Sequence, residues 1–313
     1  MDAIAVVLKQ PEQIELSELG LTAPVAGDVV VDVDFSGVST GTERLLWSGK
    51  MPNFPGMGYP LVPGYESVGR VVETSGDTGL RVGDTVFVPG AKCFGDVRGL
   101  FGASASRLVV PAARVTPVDA QLGERGILLA LAATAYHAIA APGATSPQCV
   151  VGHGVLGRLL ARIAVATGNA PPTVWEKNLA RISGAVGYEV VDPAADPRRD
   201  YQNIYDVSGD AGLLDTLIGR LAPTGEIVLA GFYSEPLQFS FAPAFMREAQ
   251  IRCAAEWHRN DLMAVTQLAA DGRFSLDGLI THQAPAEDAA VAYRTAFGDA
   301  SCLKMVLDWR YSA

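Results

Sequence analysis

The sequence predicts an α/β protein in which a β-rich first part is followed by a doubly wound parallel sheet. Short segments rich in Val, Ile and Phe, separated by Gly, Pro and Asp, recur over residues 1–118 and predict the first part. From residue 148 onward, apolar runs of strand length alternate with Ala-rich or Leu-rich segments, which predicts the sheet. Residues 258–313 change texture once more and predict a closing segment.

The first part contains six predicted strands and one long irregular stretch. Strands this frequent, with such turns between them, favour a small barrel or sandwich. The irregular stretch, residues 36–66, holds aromatic side chains among prolines and glycines, and a loop this apolar is better interpreted as the wall of a pocket than as a linker. The strands are predicted at residues 3–8, 14–16, 28–35, 67–73, 85–88 and 106–110.

The middle of the chain opens on a glycine motif at a strand-to-helix turn. Gly152, Gly154 and Gly157 follow an apolar run as G-x-G-x-x-G, and helical spacing comes next. The first glycine allows a tight turn, the second leaves room for a pyrophosphate, and the third lets the helix pack on the strand. The helix start then offers N–H groups to the phosphates. A Rossmann dinucleotide site is therefore predicted, with a plain glycine turn as the other interpretation. The residues between the glycines complete the predicted loop: His153, Val155 and Leu156.

An acid follows the second strand of this unit. Glu176 lies 176 − 157 = 19 residues after the third glycine. A carboxylate near that distance can accept hydrogen bonds from the ribose hydroxyls and repels a 2′-phosphate, which favours NAD over NADP. The neighbouring Lys177 is included in the predicted cofactor site, although its charge opposes this preference.

Six parallel strands alternating with helices are predicted, as many as a full dinucleotide-binding sheet needs. They lie at residues 150–151, 173–175, 189–191, 204–207, 226–230 and 250–254. A helix precedes them at residues 122–141, and the tail should hold helices at 261–270 and 286–296 and strands at 279–280 and 302–307. Ligands bind beyond the carboxyl ends of such strands, so four residues there should line the nicotinamide. They are Ser208, Gly209, Gly231 and Phe232.

Composition excludes several classes of protein. Hydrophobic residues make up 49% of the 313 residues and charged residues 19%, which suffices for a sizeable core. The formal net charge of −10 argues against a nucleic acid partner. Four cysteines without a C-x-x-C pair, no signal peptide and no apolar stretch long enough to span a bilayer predict a cytoplasmic protein that is not an integral membrane protein.

Together these features resemble the medium-chain dehydrogenase/reductase (alcohol dehydrogenase-like) superfamily. The segments VPGYESVGRVV, RVGDTVFVP and KMVLDW look like its G-H-E-x-x-G, V-G-D-x-V and closing patterns. The resemblance implies a GroES-like catalytic domain at residues 1–128, a Rossmann NAD-binding domain at 129–257 and a return to the catalytic domain at 258–313. The segments FSGVSTGTERLLWSGKMPNFPGMGYPLVPGYESVGRVV and VPGAKCFGDVRGLFGASASRLVVP are more specifically similar to the bacteriochlorophyllide a dehydrogenases.

That narrower resemblance implies a reaction. The family uses NAD to oxidise the 3-(1-hydroxyethyl) side chain of a (bacterio)chlorophyllide-type tetrapyrrole to 3-acetyl during bacteriochlorophyll synthesis. The zinc ligands of the superfamily are replaced, because the first falls at Ser39 or Thr40, the second at Tyr65 and the third near Ala130. Zinc prefers thiolate, imidazole and carboxylate, so a zinc-free enzyme is expected.

Without zinc the substrate's proton needs a positioned acceptor or relay. Tyr65, in the histidine's place, is the first candidate, although a tyrosine there could equally be a core or stacking residue. Thr42 and Ser39 could pass the proton along their hydroxyls or could simply form a turn. Glu66 is the acid of G-H-E, for which a structural buried carboxylate is the alternative role. His153 in the glycine loop could reach the cofactor.

A planar macrocycle needs flat apolar walls and a cation for its propionate. The predicted substrate residues are Trp47, Phe54, Met57, Tyr59 and Arg98. Two other functions stay open: an NADPH-dependent, zinc-free quinone or enoyl reductase of the same superfamily, and a non-catalytic NAD-binding sensor. A homodimer is expected, because the sixth strand would leave an apolar sheet edge open.

Overall fold

The computed structural model describes residues 1–52, 55–254 and 256–311. The chain divides into two compact units, of which the first joins Met1–Ala130 to Leu279–Ala313 and the second is Leu131–Gly278. The sequence predicted that the chain returns to the first domain at residue 258, whereas the first unit resumes at Leu279. The reason is visible in the second unit, where the Nη1 of Arg162 donates to the carbonyls of Ser275 and Asp277 at 2.8 and 2.9 Å and holds that stretch in place.

The first unit is mostly strand, as predicted. Its elements before residue 131 are β1 Asp2–Gln10, β2 Gln13–Gly20, β3 Asp28–Val38, α1 Thr42–Ser48, β4 Leu61–Val62, β5 Ser67–Thr74, β6 Thr85–Val88, β7 Arg98–Gly99, β8 Arg107–Pro111, β9 Thr116–Pro117 and a 3₁₀ segment at Ala120–Leu128. Helix α2, Leu129–Ala140, follows at the division between the units. The predicted irregular stretch is interrupted by α1 and β4, because Leu46 and Leu61 are buried in an apolar cluster.

The second unit contains the parallel sheet. Its elements are β10 Cys149–Val151, α3 Val155–Ala166, β11 Thr173–Trp175, β12 Glu189–Val191, β13 Tyr201–Asp206, α4 Leu214–Ile218, β14 Leu221–Leu229, α5 Phe241–Met246, β15 Gln250–Cys253 and α6 Arg259–Ala270. All neighbouring strands are parallel, in the order β12-β11-β10-β13-β14-β15. This is the 3-2-1-4-5-6 order of a dinucleotide-binding sheet, so the predicted fold class is confirmed.

The closing segment returns to the first unit. It contains β16 His282–Pro285, α7 Ala289–Gly298 and β17 Met305–Asp308. The strand predicted at residues 279–280 is displaced, because β16 pairs with β17 from His282 onward. The sheets of this unit run β2-β1-β4-β7 and β16-β17-β3-β5-β6-β9, with β8 also paired to β3. Strand β17 therefore lies beside β3, which carries the chain into the predicted catalytic residues.

Helices were expected between all of the parallel strands. The stretches between β11 and β12 and between β12 and β13 are fully described, and neither contains an α-helix. A 3₁₀ turn at Leu179–Arg181 stands between β11 and β12, and no helix stands between β12 and β13. Gly184 and Gly187 adopt positive φ, which disfavours helix. In the second stretch the buried Asp196 carboxylate accepts hydrogen bonds from the Trp175 indole and the Tyr201 hydroxyl, both at 2.7 Å, and so fixes a loop on the sheet.

Within the ranges that the structure describes, none of the helices has the length and apolar character needed to span a bilayer.

Candidate active site

The first group of candidate residues is a pair of hydroxyls in the first unit. Tyr65 precedes β5, and its hydroxyl lies 2.7 Å from the Oγ of the buried Ser39, just after β3. The Tyr65 ring packs edge-on against Phe101, with the ring centroids 5.7 Å apart. Burial raises the pKa of Tyr65 well above its ordinary value, and the nearby Glu66 charge raises it further, while the hydroxyls of Ser39 and Thr42 act in the opposite direction. Tyr65 therefore stays a protonated phenol at neutral pH.

A buried acid stands behind this pair. Glu43, in the first turn of α1, is fully buried, and its Oε1 accepts a hydrogen bond from the Ser39 backbone N–H at 3.1 Å. Its Oε2 accepts from the hydroxyl of Tyr293 on α7 at 2.6 Å. Burial raises the pKa of Glu43 to about 7, which the Tyr293 hydrogen bond partly opposes. Glu43 can therefore change charge near neutral pH.

The predicted catalytic acid Glu66 is held in a buried ion pair. Its Oε2 accepts a hydrogen bond from the Lys304 ammonium at 2.7 Å, and both side chains are buried. Gly37 approaches so closely that an added Cβ would lie 2.4 Å from that oxygen. Burial raises the pKa of Glu66, while the charge of Lys304 lowers it. This ion pair joins the residue just before β5 to the residue just before β17, and the catalytic role of Glu66 stays a prediction.

The positions of the superfamily's zinc ligands carry poor ligands. Ser39, Tyr65 and Ala130 provide two hydroxyls and a methyl group, whereas zinc prefers thiolate, imidazole and carboxylate. No group of three His, Cys, Asp or Glu side chains suited to a metal ion is found among the described residues. The donor set does not fit zinc, and the chemistry of this site has to be argued from its hydroxyls.

An apolar wall lies in the same unit. Trp47, Met57 and Tyr59 are partly buried and pack on a core of Leu8, Leu46, Leu61 and Leu100. The Tyr59 hydroxyl donates to the Leu46 carbonyl, which fixes the ring against α1. Of the predicted substrate residues, three are thus in one cluster, and Phe54 lies outside the described residues.

Arg98 is the cation of this region. It is exposed on β7, beside β4, and its guanidinium lies over Gly58, where an added Cβ would come within 3.0 Å of the Arg98 Cζ. Gly58, which adopts φ 155°, is flanked by two wall residues, Met57 and Tyr59. That these side chains and Arg98 bind a substrate stays a prediction.

The glycine loop in the second unit has the geometry that a pyrophosphate requires. Gly152 adopts φ 104°, and its N–H donates to the Trp175 carbonyl at 2.9 Å. A Cβ on Gly154 would meet open space, so this face of the loop is accessible. A Cβ on Gly157 would lie 1.9 Å from the Gly152 carbonyl oxygen, which only glycine avoids. Helix α3 starts at Val155 with no side-chain cap, leaving its first N–H groups for an anion.

The acid beyond the second parallel strand is held in place. Glu176 is half-buried, and it accepts hydrogen bonds from the backbone N–H groups of His153 at 3.1 Å and Asn178 at 2.8 Å. Each oxygen keeps a further lone pair for another donor. Leu156 is half-buried in the first turn of α3, and Lys177 is exposed.

The side chain of His153, which the sequence predicts near the cofactor, is hydrogen-bonded through both ring nitrogens. Its Nδ1 lies 2.6 Å from the Arg181 carbonyl, which can only accept, so Nδ1 carries the proton. Its Nε2 then accepts from the Tyr188 hydroxyl at 2.8 Å. Burial lowers the pKa of His153 to about 4, and the imidazole is neutral. Both ring nitrogens are therefore used to fix the loop.

The predicted nicotinamide-side residues lie at the carboxyl ends of β13 and β14. The N–H and Oγ of Ser208 donate to the Asp206 carboxylate at 2.9 and 2.6 Å. An added Cβ on Gly231 would lie 3.3 Å from the Gly209 N, so the two turns are packed together. Phe232 follows Gly231 and is 44% exposed.

The sequence analysis did not identify the buried residues that support the catalytic candidates in the first unit and the glycine loop in the second unit. Tyr293 and Lys304 come from the closing segment, and neither has a local pattern that identifies its partner. Arg158, which directly follows the glycine motif, donates to the carbonyls of His153, Arg181 and Ser183 at 2.8 to 3.0 Å. Its position after the third glycine, inside an apolar helix face, was the one available signal.

Comparisons with known proteins identify the fold and the family. A family model for the alcohol dehydrogenase GroES-like domain matches residues 25–120. The crystal structure of an Escherichia coli short chain alcohol dehydrogenase complexed with NADH superposes with a TM-score of 0.81, over 98% of this chain and 99% of that one, at 21% identity. That likeness concerns the fold.

Two curated relatives are much closer in sequence. Both are named 2-desacetyl-2-hydroxyethyl bacteriochlorophyllide A dehydrogenase. The protein of Rhodobacter capsulatus is 58% identical over 99% of both chains, and that of Cereibacter sphaeroides is 56% identical over the full length of both. At this identity and coverage, the chain belongs to the family of 2-desacetyl-2-hydroxyethyl bacteriochlorophyllide A dehydrogenases within the medium-chain dehydrogenase/reductase superfamily.

Proposed function

We propose that this chain oxidises the 3-(1-hydroxyethyl) group of a (bacterio)chlorophyllide a to 3-acetyl, with NAD and without zinc. Family membership makes it an oxidoreductase that acts on an alcohol in bacteriochlorophyll synthesis, as the sequence predicted. The choice of NAD, the independence from zinc and the residue roles are our own proposal. The observation that carries the roles is the hydroxyl pair of Tyr65 and Ser39, 2.7 Å apart, where the superfamily has metal ligands.

The second unit supports a nicotinamide cofactor. Gly154 leaves open space beside uncapped N–H groups, which suits a pyrophosphate. Glu176 is fixed by two backbone N–H groups and retains lone pairs for a ribose diol, which favours NAD over NADP. When bound, NAD supplies the hydride acceptor. Ser208 and Phe232 are proposed to face the nicotinamide from the ends of their strands.

Tyr65 is proposed to act as a proton relay. Because its pKa is raised far above neutrality, it does not take a proton as a phenolate. It can accept the substrate's hydroxyl proton on its oxygen while its own proton passes to the Ser39 Oγ, and Ser39 in turn releases its hydroxyl proton to solvent water, with Thr42 as a second hydroxyl nearby. The alcohol thus loses a hydride and a proton, and the phenol is unchanged at the end. Hydrogen bonding to the developing alkoxide would stabilise the transition state.

The apolar wall and Arg98 are proposed to bind the macrocycle. Trp47, Met57 and Tyr59 offer flat or adaptable apolar surface. The Arg98 guanidinium, which lies over Gly58, would bind the ring's propionate, because a planar guanidinium matches a carboxylate. Oxidation brings the carbonyl into conjugation with the ring, and we infer that this lowers the product's energy and reduces the need for a metal.

A two-fold homodimer is part of the proposal. Strand β15 ends the parallel sheet, and Ile251 on it is partly exposed. Just before it, Phe239, Phe241, Phe245 and Met246 are 46% to 75% exposed. An open strand edge beside such an apolar surface, which we call the α5 face, suits pairing with a second copy of the chain. The cytoplasmic location stays a prediction of the sequence.

One experiment tests the function. The protein is incubated with 3-hydroxyethyl chlorophyllide or bacteriochlorophyllide and either NAD or NADP, with chelator present, and both the reduced cofactor and the red absorption band of the pigment are followed. We expect a band shift coupled one to one to NAD reduction. Turnover only with NADP in the reductive direction would indicate a quinone or enoyl reductase, and cofactor binding without turnover would indicate a sensor.

A further inference from the structure

The buried Glu43 is not explained by the relay alone. It is the only acid of α1, it is fully buried, and it connects two distant parts of the first unit. One oxygen accepts from the Ser39 backbone N–H at 3.1 Å, and the other accepts from the Tyr293 hydroxyl at 2.6 Å. Ser39 is the residue whose Oγ contacts the Tyr65 hydroxyl. Glu43 therefore holds the backbone that places the inner half of the hydroxyl pair.

We propose that Glu43, clamped as a carboxylate by Tyr293, is a positioning residue that fixes Ser39 and through it the Ser39–Tyr65 hydroxyl pair. This inference rests on the proposed relay. It goes further, because it assigns a role to two residues that contact neither substrate nor cofactor in the proposal.

The charge of Glu43 matters for this role. An amide N–H such as that of Ser39 can only donate, and its bond to a carboxylate is charge-assisted and roughly twice as strong as one to a neutral oxygen. When Glu43 is protonated, its O–H can be donated to the Tyr293 oxygen, which reverses that bond. The Ser39 N–H then faces a weaker acceptor, and the hydroxyl pair is held less firmly.

The groups around Glu43 set where this change occurs. Tyr293 on α7 donates to it, the buried Glu66 repels its charge, and Lys304 attracts it while being bonded to Glu66. Burial outweighs these effects and raises the pKa of Glu43 to about 7. The charge of Glu43 in turn raises the pKa of Tyr65. Glu43 therefore ionises near neutral pH, and its charge acts on Tyr65.

The first test observes Tyr65 directly and needs no turnover. Tyrosine labelled with ¹³C at Cζ is incorporated into the full chain, and the Tyr65 signal is assigned by its loss in Tyr65→Phe. We expect this signal to move with pH with a midpoint of about 7, set by Glu43. Glu43→Gln should abolish the movement. The hydrogen bond from Tyr293 lowers the pKa of Glu43, so Tyr293→Phe, which removes this bond, should raise the midpoint.

A matched control removes a different buried hydroxyl. Tyr205 in the second unit donates to the Thr145 carbonyl, so Tyr205→Phe also loses a short hydrogen bond of a buried tyrosine, but away from the pair. In Tyr205→Phe, the midpoint of the Tyr65 signal should equal that of the unmodified protein. A Tyr65 signal that does not move in the unmodified protein, or that moves equally in Glu43→Gln, contradicts the inference.

The second test uses kinetics. On the acid side of the profile, kcat for the hydroxyethyl pigment should fall about tenfold as Glu43 is protonated, with little change in KM. Glu43→Gln should show no such fall, and Tyr293→Phe should move it to higher pH. Variants that only lose thermal stability while keeping the unmodified profile would overturn the inference. If no hydroxyethyl pigment is turned over by the unmodified protein, the proposed function fails, and the ¹³C titration alone decides whether Glu43 positions the pair.

Discussion

The hydroxyl of Tyr65 lies 2.7 Å from the Oγ of Ser39, so the phenol is paired with an aliphatic hydroxyl and not with an imidazole or a carboxylate. This relationship separates the two roles that a tyrosine at this position can have. A stacking residue needs only its ring, whereas a relay needs the oxygen. The chemistry of the site can therefore be tested at single atoms.

Tyr65→Phe keeps the ring and its edge-on contact with Phe101 but removes the hydroxyl. If the hydroxyl acts mainly in the transition state, kcat should fall by roughly 10²–10⁴-fold with little change in KM. Steady-state kinetics with the hydroxyethyl pigment checks this. An unchanged kcat would assign Tyr65 to stacking, in which case Tyr65→Ala should raise KM instead.

The metal content is a second prediction. Because Ser39, Tyr65 and Ala130 provide neither thiolate nor imidazole, the purified protein should contain no stoichiometric zinc and should stay active in chelator. Elemental analysis beside a zinc alcohol dehydrogenase as a positive control measures this. One zinc per chain, with activity lost in chelator and restored by zinc, would disprove it.

Cofactor preference is a third prediction. NAD should bind more tightly than NADP, and Glu176→Ala should weaken NAD binding by roughly 10- to 100-fold, as expected for lost hydrogen bonds to a charged group. Glu176→Ala should also reduce the difference between the affinities for NAD and NADP, because the repulsion of a 2′-phosphate is lost. Glu189→Ala removes the same charge at the amino end of β12 and should leave both affinities unchanged. Titration calorimetry gives the six dissociation constants, for three proteins and two cofactors. Equal NAD and NADP affinities in the unmodified protein would refute the role of Glu176.

Much of the fold was predictable because local sequence patterns determine its strands, turns and glycine loop. Strand alternation, glycine turns and the G-x-G-x-x-G motif depend on neighbours in sequence, and the observed order of the parallel sheet confirmed the Rossmann prediction. The segments between β11 and β13 were predicted wrongly as helical units. Their conformation is set by contacts from afar, such as Arg158 on the carbonyls of Arg181 and Ser183.

The supporting residues of the site could not be predicted for the same reason. Tyr293 is 250 residues from Glu43, and Lys304 is 238 residues from Glu66. Such pairs arise only when the closing segment returns to the first unit. The residue types at the zinc positions were readable from the aligned motif, but whether Glu66 faced the substrate or a cation depended on the tertiary fold.

The assembly prediction concerns the α5 face. We expect a dimer at micromolar concentration, and Phe245→Asp should shift it towards monomer, because a charge would be buried against apolar surface. Met263→Asp, at a residue 56% exposed on α6, adds the same charge elsewhere and should leave the dimer intact. Light scattering distinguishes the states; a monomeric unmodified protein would rule out this assembly.

The last prediction is the pH dependence of stability that Glu43 causes. Its pKa is raised in the folded chain from 4.5 to about 7, so the unfolded chain loses this proton at lower pH than the folded one. The contribution of Glu43 to stability is therefore fully present below pH 4.5 and is lost as the pH rises through about 7. A shift of this size corresponds to about 3 kcal/mol.

Glu43→Gln stays neutral at every pH and should lack this loss. The difference in unfolding free energy between Glu43→Gln and the unmodified protein should thus move in favour of the variant by up to about 3 kcal/mol between pH 4.5 and the alkaline side of pH 7. The lowered pKa of His153 weakens stability towards acid in both proteins alike, so it cancels in the difference. Denaturant unfolding of both proteins at a series of pH values measures this difference in unfolding free energy. A difference that does not change with pH would show that Glu43 ionises normally in the folded chain.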